Sequence, residues 1–124
     1  MKNALKWFEI PVNDMDRAKS FYENILGISM QLLSINENLN MALFPAEAGS
    51  IGGALCQNQQ FYKPGFHGPV VYLNADPDLQ KVLDRLEKTK GKIIQGKTQV
   101  SEEVGYMAII EDSEGNRVGL MSSR

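Results

Sequence analysis

The 124-residue sequence has few of the residues on which covalent or metal chemistry usually depends, with one cysteine and one histidine. The single cysteine, Cys56, excludes an intrachain disulfide and a zinc site built from several thiolates, and we interpret it as a small buried apolar residue. No apolar run approaches the roughly 20 residues that a membrane span requires, and the N-terminal stretch lacks the apolar core of a signal peptide. These absences predict a cytoplasmic protein without a membrane partner.

Neither sign of charge is in large excess. Thirteen basic and 15 acidic residues give a net charge of -2 and a sequence pI of about 5.4, and the lysines are dispersed. The basic field that drives nucleic-acid binding is therefore lacking. Hydrophobic residues make up 43% of the chain, which is typical of a folded domain and excludes disorder. The length fits one domain.

The hydrophobic periodicity of the first half predicts a strand, an amphipathic helix and three further strands, over residues 5–12, 15–26, 28–35, 39–44 and 51–56. Gly27 has the position of a helix-ending glycine. The second half repeats this order, with strands over residues 70–75, 92–95, 104–111 and 117–121 and a helix whose apolar stripe is Leu79, Val82, Leu83 and Leu86. There, Asp76-Pro77 predicts the helix start and Gly91 the helix end.

The two halves match at an offset of about 63 residues, which pairs Trp7 with Val70 and Glu9 with Tyr72. We therefore predict an α+β fold in which residues 1–124 form a single domain of two tandem βαβββ modules. Module one covers residues 1–57, the linker 58–68, and module two 69–124. Each helix covers one face of its sheet, and the other faces together form a cup. The linker contains three aromatic residues and the only histidine, namely Phe61, Tyr62, Phe66 and His67. This composition predicts that the linker packs on a sheet edge or a partner subunit, or covers a ligand.

The stretches from Trp7 to Gly27 and from Gly105 to Leu120 resemble the opening module and the closing hairpin of the vicinal oxygen chelate superfamily. This superfamily includes glyoxalase I, extradiol dioxygenases and the fosfomycin and bleomycin resistance proteins. The motifs that carry the resemblance are Phe21-Tyr22 with Leu26-Gly27, and Asp112 with Gly115-Asn116. The resemblance implies the glyoxalase-like fold over nearly the whole chain.

The resemblance also implies a divalent metal in the cup, held by His, Glu or Gln from the first and last strands of each module. The corresponding positions carry Trp7, Val70 and Gly119, and the strand at 51–56 has no imidazole or carboxylate. We therefore predict no metal ligands and no cofactor. A metal site built from Glu9 and His67 stays open as an alternative.

Side chains that alternate toward the cup form the predicted ligand-binding set: Trp7, Glu9, Met41, Tyr72, Asn74 and Tyr106. Aromatic walls with one acid favour an aromatic or cationic small organic molecule, and the sequence identifies no catalytic residue. Two other functions stay open, a lyase or isomerase of the glyoxalase I type with unusual or absent metal ligands, and a protein-interaction module whose cup is filled by side chains. Exposed sheet edges and the resemblance predict a homodimer, with an interface near Ala18 or Tyr22 or along the linker from Phe61 to Phe66.

Overall fold

The computed structural model describes residues 2–124 and contains two helices and eight strands over that range. In chain order the elements are β1 (Trp7–Pro11), α1 (Met15–Leu26), β2 (Gln31–Asn36), β3 (Leu39–Leu43), β4 (Gly52–Gln57), β5 (Tyr72–Asn74), α2 (Leu79–Leu86), β6 (Lys92–Ser101), β7 (Gly105–Glu111) and β8 (Arg117–Ser122). Neither helix is long and apolar enough to cross a membrane.

The strands form two four-stranded sheets of the same topology, β1-β4-β3-β2 and β5-β8-β7-β6. In each sheet the first strand runs parallel to the last one, and the other pairs are antiparallel. The amide of Val12 donates to the carbonyl of Cys56, and the amide of Ala75, which matches Val12 at the predicted offset, donates to the carbonyl of Met121. The predicted tandem βαβββ fold is confirmed. No strand pair of the described residues joins the two sheets, so the expected cup surface is divided between them.

Helix α1 has the boundaries that its sequence predicts. Asp14 is the N-cap, and its carboxylate accepts from the amide of Arg17. Gly27 ends the helix in the left-handed conformation, with φ 64°, which favours glycine because it has no Cβ. The amide of Met15 donates to Oε1 of Gln57, so the last strand of module one also satisfies a free amide at the helix start.

Helix α2 corrects two sequence predictions. Its N-cap is Asp78, whose carboxylate accepts from Gln80, whereas Asp76 accepts from the amide of Ser123. The helix ends at Leu86, well before Gly91. A side chain at Gly91 would lie 2.5 Å from Leu86 Cδ1, so this glycine permits close packing where the chain turns toward β6.

Both helices and the helix-facing sides of both sheets contribute to one hydrophobic core. Ala18 and Tyr22 lie in this core with 0% exposure. Helix packing within the chain already covers Ala18 and Tyr22, so these two side chains are not available to a partner subunit, and an interface near them stays a prediction.

Candidate functional site

Module one carries its chemically distinctive residues on the open face of its sheet, meaning the side turned away from the helices. Strand β1 alternates between faces, so Ile10 enters the core while Trp7 and Glu9 stay exposed on the open face. Trp7 lies opposite Gly52 of β4, and its ring covers this glycine. A Cβ added at Gly52 would lie 3.1 Å from Cζ3 of the Trp7 ring. The indole therefore lies against the strand at a position where a larger residue would displace it.

The carboxylate of Glu9 is held by two neutral donors. The indole Nε1 of Trp7 donates to Oε2 at 3.2 Å, and the hydroxyl of Tyr62 donates to Oε1 at 2.7 Å. No ion pair of the described residues includes Glu9. The open face thus presents a carboxylate that is hydrogen-bonded but has no cationic partner in the described part of the chain.

Tyr62 reaches this face from the linker and is not a member of the ligand-binding set that the sequence predicts. Strand β4 ends at Gln57, and a turn follows in which the amides of Phe61 and Tyr62 donate to the carbonyl of Asn58. This turn brings Tyr62 back onto β3 and β4, where it packs against a small cluster separate from the main core, made of Met41, Ala54 and Cys56. The aromatic residues of the linker were the only sequence signal for a role of Tyr62 in the site. Turns have no periodic pattern, so the sequence does not predict which way a turn side chain points.

The same environment changes two pKa values. Burial, followed by the nearby negative charge of Glu9, raises the pKa of Cys56 to about 12. The thiol is therefore protonated at neutral pH, which fits its interpretation as a buried apolar residue. The hydrogen bond to Glu9 is the main reason that the pKa of Tyr62 is raised above its usual value, so the phenol remains a donor.

A groove of about 490 Å³ lies beside this cluster. Its walls come from the start of α1 and from β2, β3 and β4, and they include Leu33, Ser34, Asn40, Met41 and Gln57. This volume is within the range of small-molecule sites.

Module two carries the matched pair Tyr72 and Asn74 on the open face of its own sheet, beside a groove of about 370 Å³ that Val104 and Met121 also line. The Tyr72 ring lies over Gly119, where a Cβ would approach it at 2.3 Å. Oδ1 of Asn74 accepts from the amide of Asp76, which leaves its amide hydrogens as donors. The structure thus divides the predicted set into two groups, one on each sheet.

Tyr106 lies on the opposite face of its sheet from the rest of the predicted set. It packs against the main core, and the ammonium of Lys97 lies 4.6 Å from its ring centroid. Strand β7 buries Ala108 and Ile110 on that same side. The assignment of Tyr106 to the ligand-binding set is therefore wrong, because its register directs it toward the helices.

The residues at the implied metal positions do not fit a divalent cation. Trp7 and Val70 have no donor for a metal, and Gly119 has no side chain and lies under the Tyr72 ring. Over residues 2–124, no three His, Cys, Asp or Glu side chains lie close enough together to hold an ion. His67 is exposed in the linker, and both oxygens of Glu9 already accept hydrogen bonds.

Comparison with solved structures identifies relatives of this fold. Maize glyoxalase I (an E144Q mutant) superimposes with a TM-score of 0.70 at 21% identity, over 97% of this chain and 45% of that one, so this chain spans less than half of the maize protein. A glyoxalase/bleomycin resistance protein from Streptomyces sp. CB03234 gives 0.68 at 23% identity, over 96% of this chain and 100% of that one. TnmS3, an antibiotic binding protein from the same Streptomyces, gives 0.68 at 23% identity, over 98% of each chain.

At these identities the structural likeness shows a shared fold and nothing more. No curated protein matches the chain. The family model of the Glyoxalase/Bleomycin resistance protein/Dioxygenase superfamily, however, matches residues 4–120, which is nearly the whole sequence. The chain belongs to the glyoxalase/bleomycin resistance protein/dioxygenase superfamily.

Proposed function

We propose that this protein binds a small organic molecule on the open face of module one, without a metal or cofactor. The observation that carries the proposal is the Glu9 carboxylate, which is held by the Trp7 indole, has no ion-pair partner within residues 2–124 and lies on the same face as Met41. An indole ring and an unpaired carboxylate together suit an aromatic or cationic ligand.

Binding is favoured over catalysis because the positions where the resemblance implies metal ligands carry Trp7, Val70 and Gly119. Binding is favoured over a pure interaction module because a groove of about 490 Å³ that shares Met41 with the site lies beside it, and a groove of about 370 Å³ lies beside Tyr72 and Asn74. The antibiotic-binding function printed for TnmS3 supports the same choice by analogy. We propose Tyr72 and Asn74 as a second set of ligand contacts, on the open face of module two beside its own groove.

A screen of small aromatic, cationic and dicarbonyl compounds tests this function. Trp7 is the only tryptophan in the chain, so its fluorescence reports directly on the proposed site. We expect a compound that changes Trp7 emission saturably and raises the melting temperature, because a ligand at 100 times its Kd stabilises the native state by about 2.7 kcal/mol.

The matched control for the screen is Glu9→Gln, which keeps the side-chain shape and removes the charge. We expect it to weaken binding of the same compound while the melting temperature without ligand changes little. The function is contradicted if no compound in the screen affects either Trp7 emission or the melting temperature.

We also propose that the protein is a homodimer with the linker at its interface. Phe61 is 73% exposed beside Tyr62, and a side chain of this size is stabilised when a partner subunit covers it. Light scattering at micromolar concentration should give twice the mass of the 13.8 kDa chain, and Phe61→Ser should shift the protein toward the monomer. A monomeric wild-type protein would contradict the dimer.

A further inference from the structure

The hydroxyl that binds Glu9 comes from the chain itself, although it lies on the face where the ligand is proposed to bind. We propose that the Glu9 carboxylate and the small cluster beside it form a binding point for an aromatic hydroxyl group, and that Tyr62 occupies this point while no ligand is bound. This inference rests on the proposed function of the same face. It adds that the ligand is a phenol.

The two hydrogen bonds of Glu9 end on different carboxylate oxygens, so one donor can be exchanged while the other stays in place. Tyr62 donates to Oε1 at 2.7 Å, whereas Trp7 donates to the other oxygen at 3.2 Å. When Tyr62 leaves, the indole still orients the carboxylate, and Oε1 is free to accept from another donor. A phenol replaces the lost bond with one of the same kind, since both donors are aromatic hydroxyls.

The surface beneath the Tyr62 ring is suited to an aromatic ring rather than to an aliphatic alcohol. The ring packs against Met41, Ala54 and Cys56, which form an apolar cluster separate from the core between helices and sheets. This cluster has a thioether, a methyl group and a protonated thiol, and none of these groups needs a polar partner. An incoming phenol therefore regains both the ring contact and the hydrogen bond that Tyr62 gives up.

The linker can release Tyr62 without loss of a strand or helix. Residues 58–71 belong to neither, and the backbone of Tyr62 is held by one turn hydrogen bond to Asn58. Displacement of the side chain thus costs its contacts on the open face and leaves both sheets paired. Segments with few such bonds open at low free energy.

Substitution of Tyr62 and addition of the missing phenol test the inference. The probe is 4-methylphenol, which is the tyrosine side chain itself, and the matched probe is toluene, which lacks the hydroxyl. Titration is followed by Trp7 emission in wild type and in the Tyr62→Ala variant. We expect the variant to bind 4-methylphenol saturably and about tenfold more tightly than it binds toluene, the factor that corresponds to one hydrogen bond to a charged group.

Two further variants separate the hydrogen bond from the vacated volume. Glu9→Gln added to Tyr62→Ala should remove most of the preference for 4-methylphenol over toluene. Tyr62→Phe keeps the ring and the fold but removes the competing hydroxyl, so it should bind 4-methylphenol about tenfold more tightly than wild type does. This second variant also serves if Tyr62→Ala fails to fold, which circular dichroism would reveal.

Equal affinity of Tyr62→Ala for the two probes overturns the inference, as does equal affinity of wild type and Tyr62→Phe for 4-methylphenol. In either case a compound from the screen that still changes Trp7 emission in wild type leaves the proposed function in place. If the Tyr62 variants show no preference and no compound of the screen changes Trp7 emission or the melting temperature, the inference and the proposed function are both rejected. Phenethylamine serves as a cationic probe: tighter binding of this amine than of 4-methylphenol to Tyr62→Ala would also overturn the choice of a phenol.

Discussion

The hydroxyl of Tyr22 donates a 2.6 Å hydrogen bond to Oδ2 of Asp112, and this bond joins the helix of module one to the β7–β8 turn of module two. Both residues are buried, and they are 90 positions apart in the sequence. The same Asp112 accepts from the amides of Glu114 and Asn116 within its turn. The tyrosine therefore binds a carboxylate that the turn has already fixed in position.

We expect Tyr22→Phe to lower the free energy of unfolding by about 1.5–3 kcal/mol at neutral pH, because a buried charged acceptor loses a donor. Burial, followed by the charge of Asp112, raises the pKa of Tyr22 well above its usual value. Above about pH 10 the unfolded chain loses this proton while the folded chain keeps it, so wild-type stability falls as pH rises. Urea unfolding at neutral and alkaline pH should show the gap between wild type and Tyr22→Phe narrowing above pH 10.

Tyr72→Phe is the matched control for this prediction, since Tyr72 is 43% exposed and its hydroxyl has no hydrogen bond to the described residues. It should change the free energy of unfolding by less than about 0.5 kcal/mol. A loss in Tyr72→Phe equal to that in Tyr22→Phe would show that the buried bond to Asp112 contributes little.

Glu114 is expected to contribute stability that is lost in acid. Partial burial alone raises its pKa, but hydrogen bonds from Arg17 and from the amides of Asp14 and Asn13 outweigh burial and hold the pKa of Glu114 below its usual value. A lowered carboxyl pKa stabilises the fold above the unfolded value of about 4.3, and this contribution disappears as pH falls through the folded value.

Glu114→Gln should therefore cost roughly 1–2 kcal/mol at neutral pH, toward the lower end because Arg17 is half-exposed. The difference from wild type should shrink below about pH 4, when the wild-type carboxyl is itself protonated. Urea unfolding across this pH range measures it, with Glu102→Gln, an exposed carboxyl, as control. A difference that does not depend on pH would reject the assignment to the charge.

Two glycines beside aromatic rings should respond differently to alanine. A Cβ at Gly53 would lie 2.3 Å from the Phe8 ring, which packs against Phe44 and the core, so Gly53→Ala should cost about 1–3 kcal/mol. A Cβ at Gly119 would approach Tyr72 equally closely, but that ring is exposed and can rotate away. Gly119→Ala should therefore cost less than Gly53→Ala and move the Tyr72 ring, as urea unfolding and a structure of the variant would show. The reverse order of stability would contradict this.

Metal content gives a prediction that is independent of stability. With Trp7, Val70 and Gly119 at the implied ligand positions, we expect untagged protein to contain no stoichiometric zinc, nickel or manganese by elemental analysis. A chelator should leave both the melting temperature and the Trp7 response to a bound compound unchanged. Stoichiometric metal that survives mild chelation, or binding restored by adding a metal, would reject the metal-independent site.

Much of the fold could be predicted because its signals are periodic. Alternation along β1 placed Trp7 and Glu9 on one side, and the structure has them there, joined by a hydrogen bond. Strand β7 gave no such guide, since Met107 and Ile109 are as apolar as Ala108 and Ile110 and both faces look equally suited to burial. This is why Tyr106 was assigned to the wrong side.

Other features depend on contacts that sequence spacing does not encode. Asp76 and Asp78 are both good capping residues, but the Asp76 carboxylate accepts from the distant amide of Ser123, and Asp78 caps α2. Tyr62 lies in a turn, where no repeat indicates the direction of a side chain, so its bond to Glu9 could not be derived. The sequence therefore predicted Trp7 and Glu9 in the candidate site of module one but not Tyr62.

The position of β8 has a consequence for the order in which the molecule can assemble. This strand lies between β5 and β7, although it follows both in the chain, so the second sheet has an unfilled gap until β8 has been synthesised. The turn before it also supplies Glu114, which the amides of Asn13 and Asp14 bind about 100 residues earlier in the sequence. On the ribosome, the chain therefore cannot complete its second sheet, or the hydrogen bonds between Glu114 and module one, until the β7–β8 turn and β8 have emerged. Contacts between residues so far apart in the sequence also form slowly.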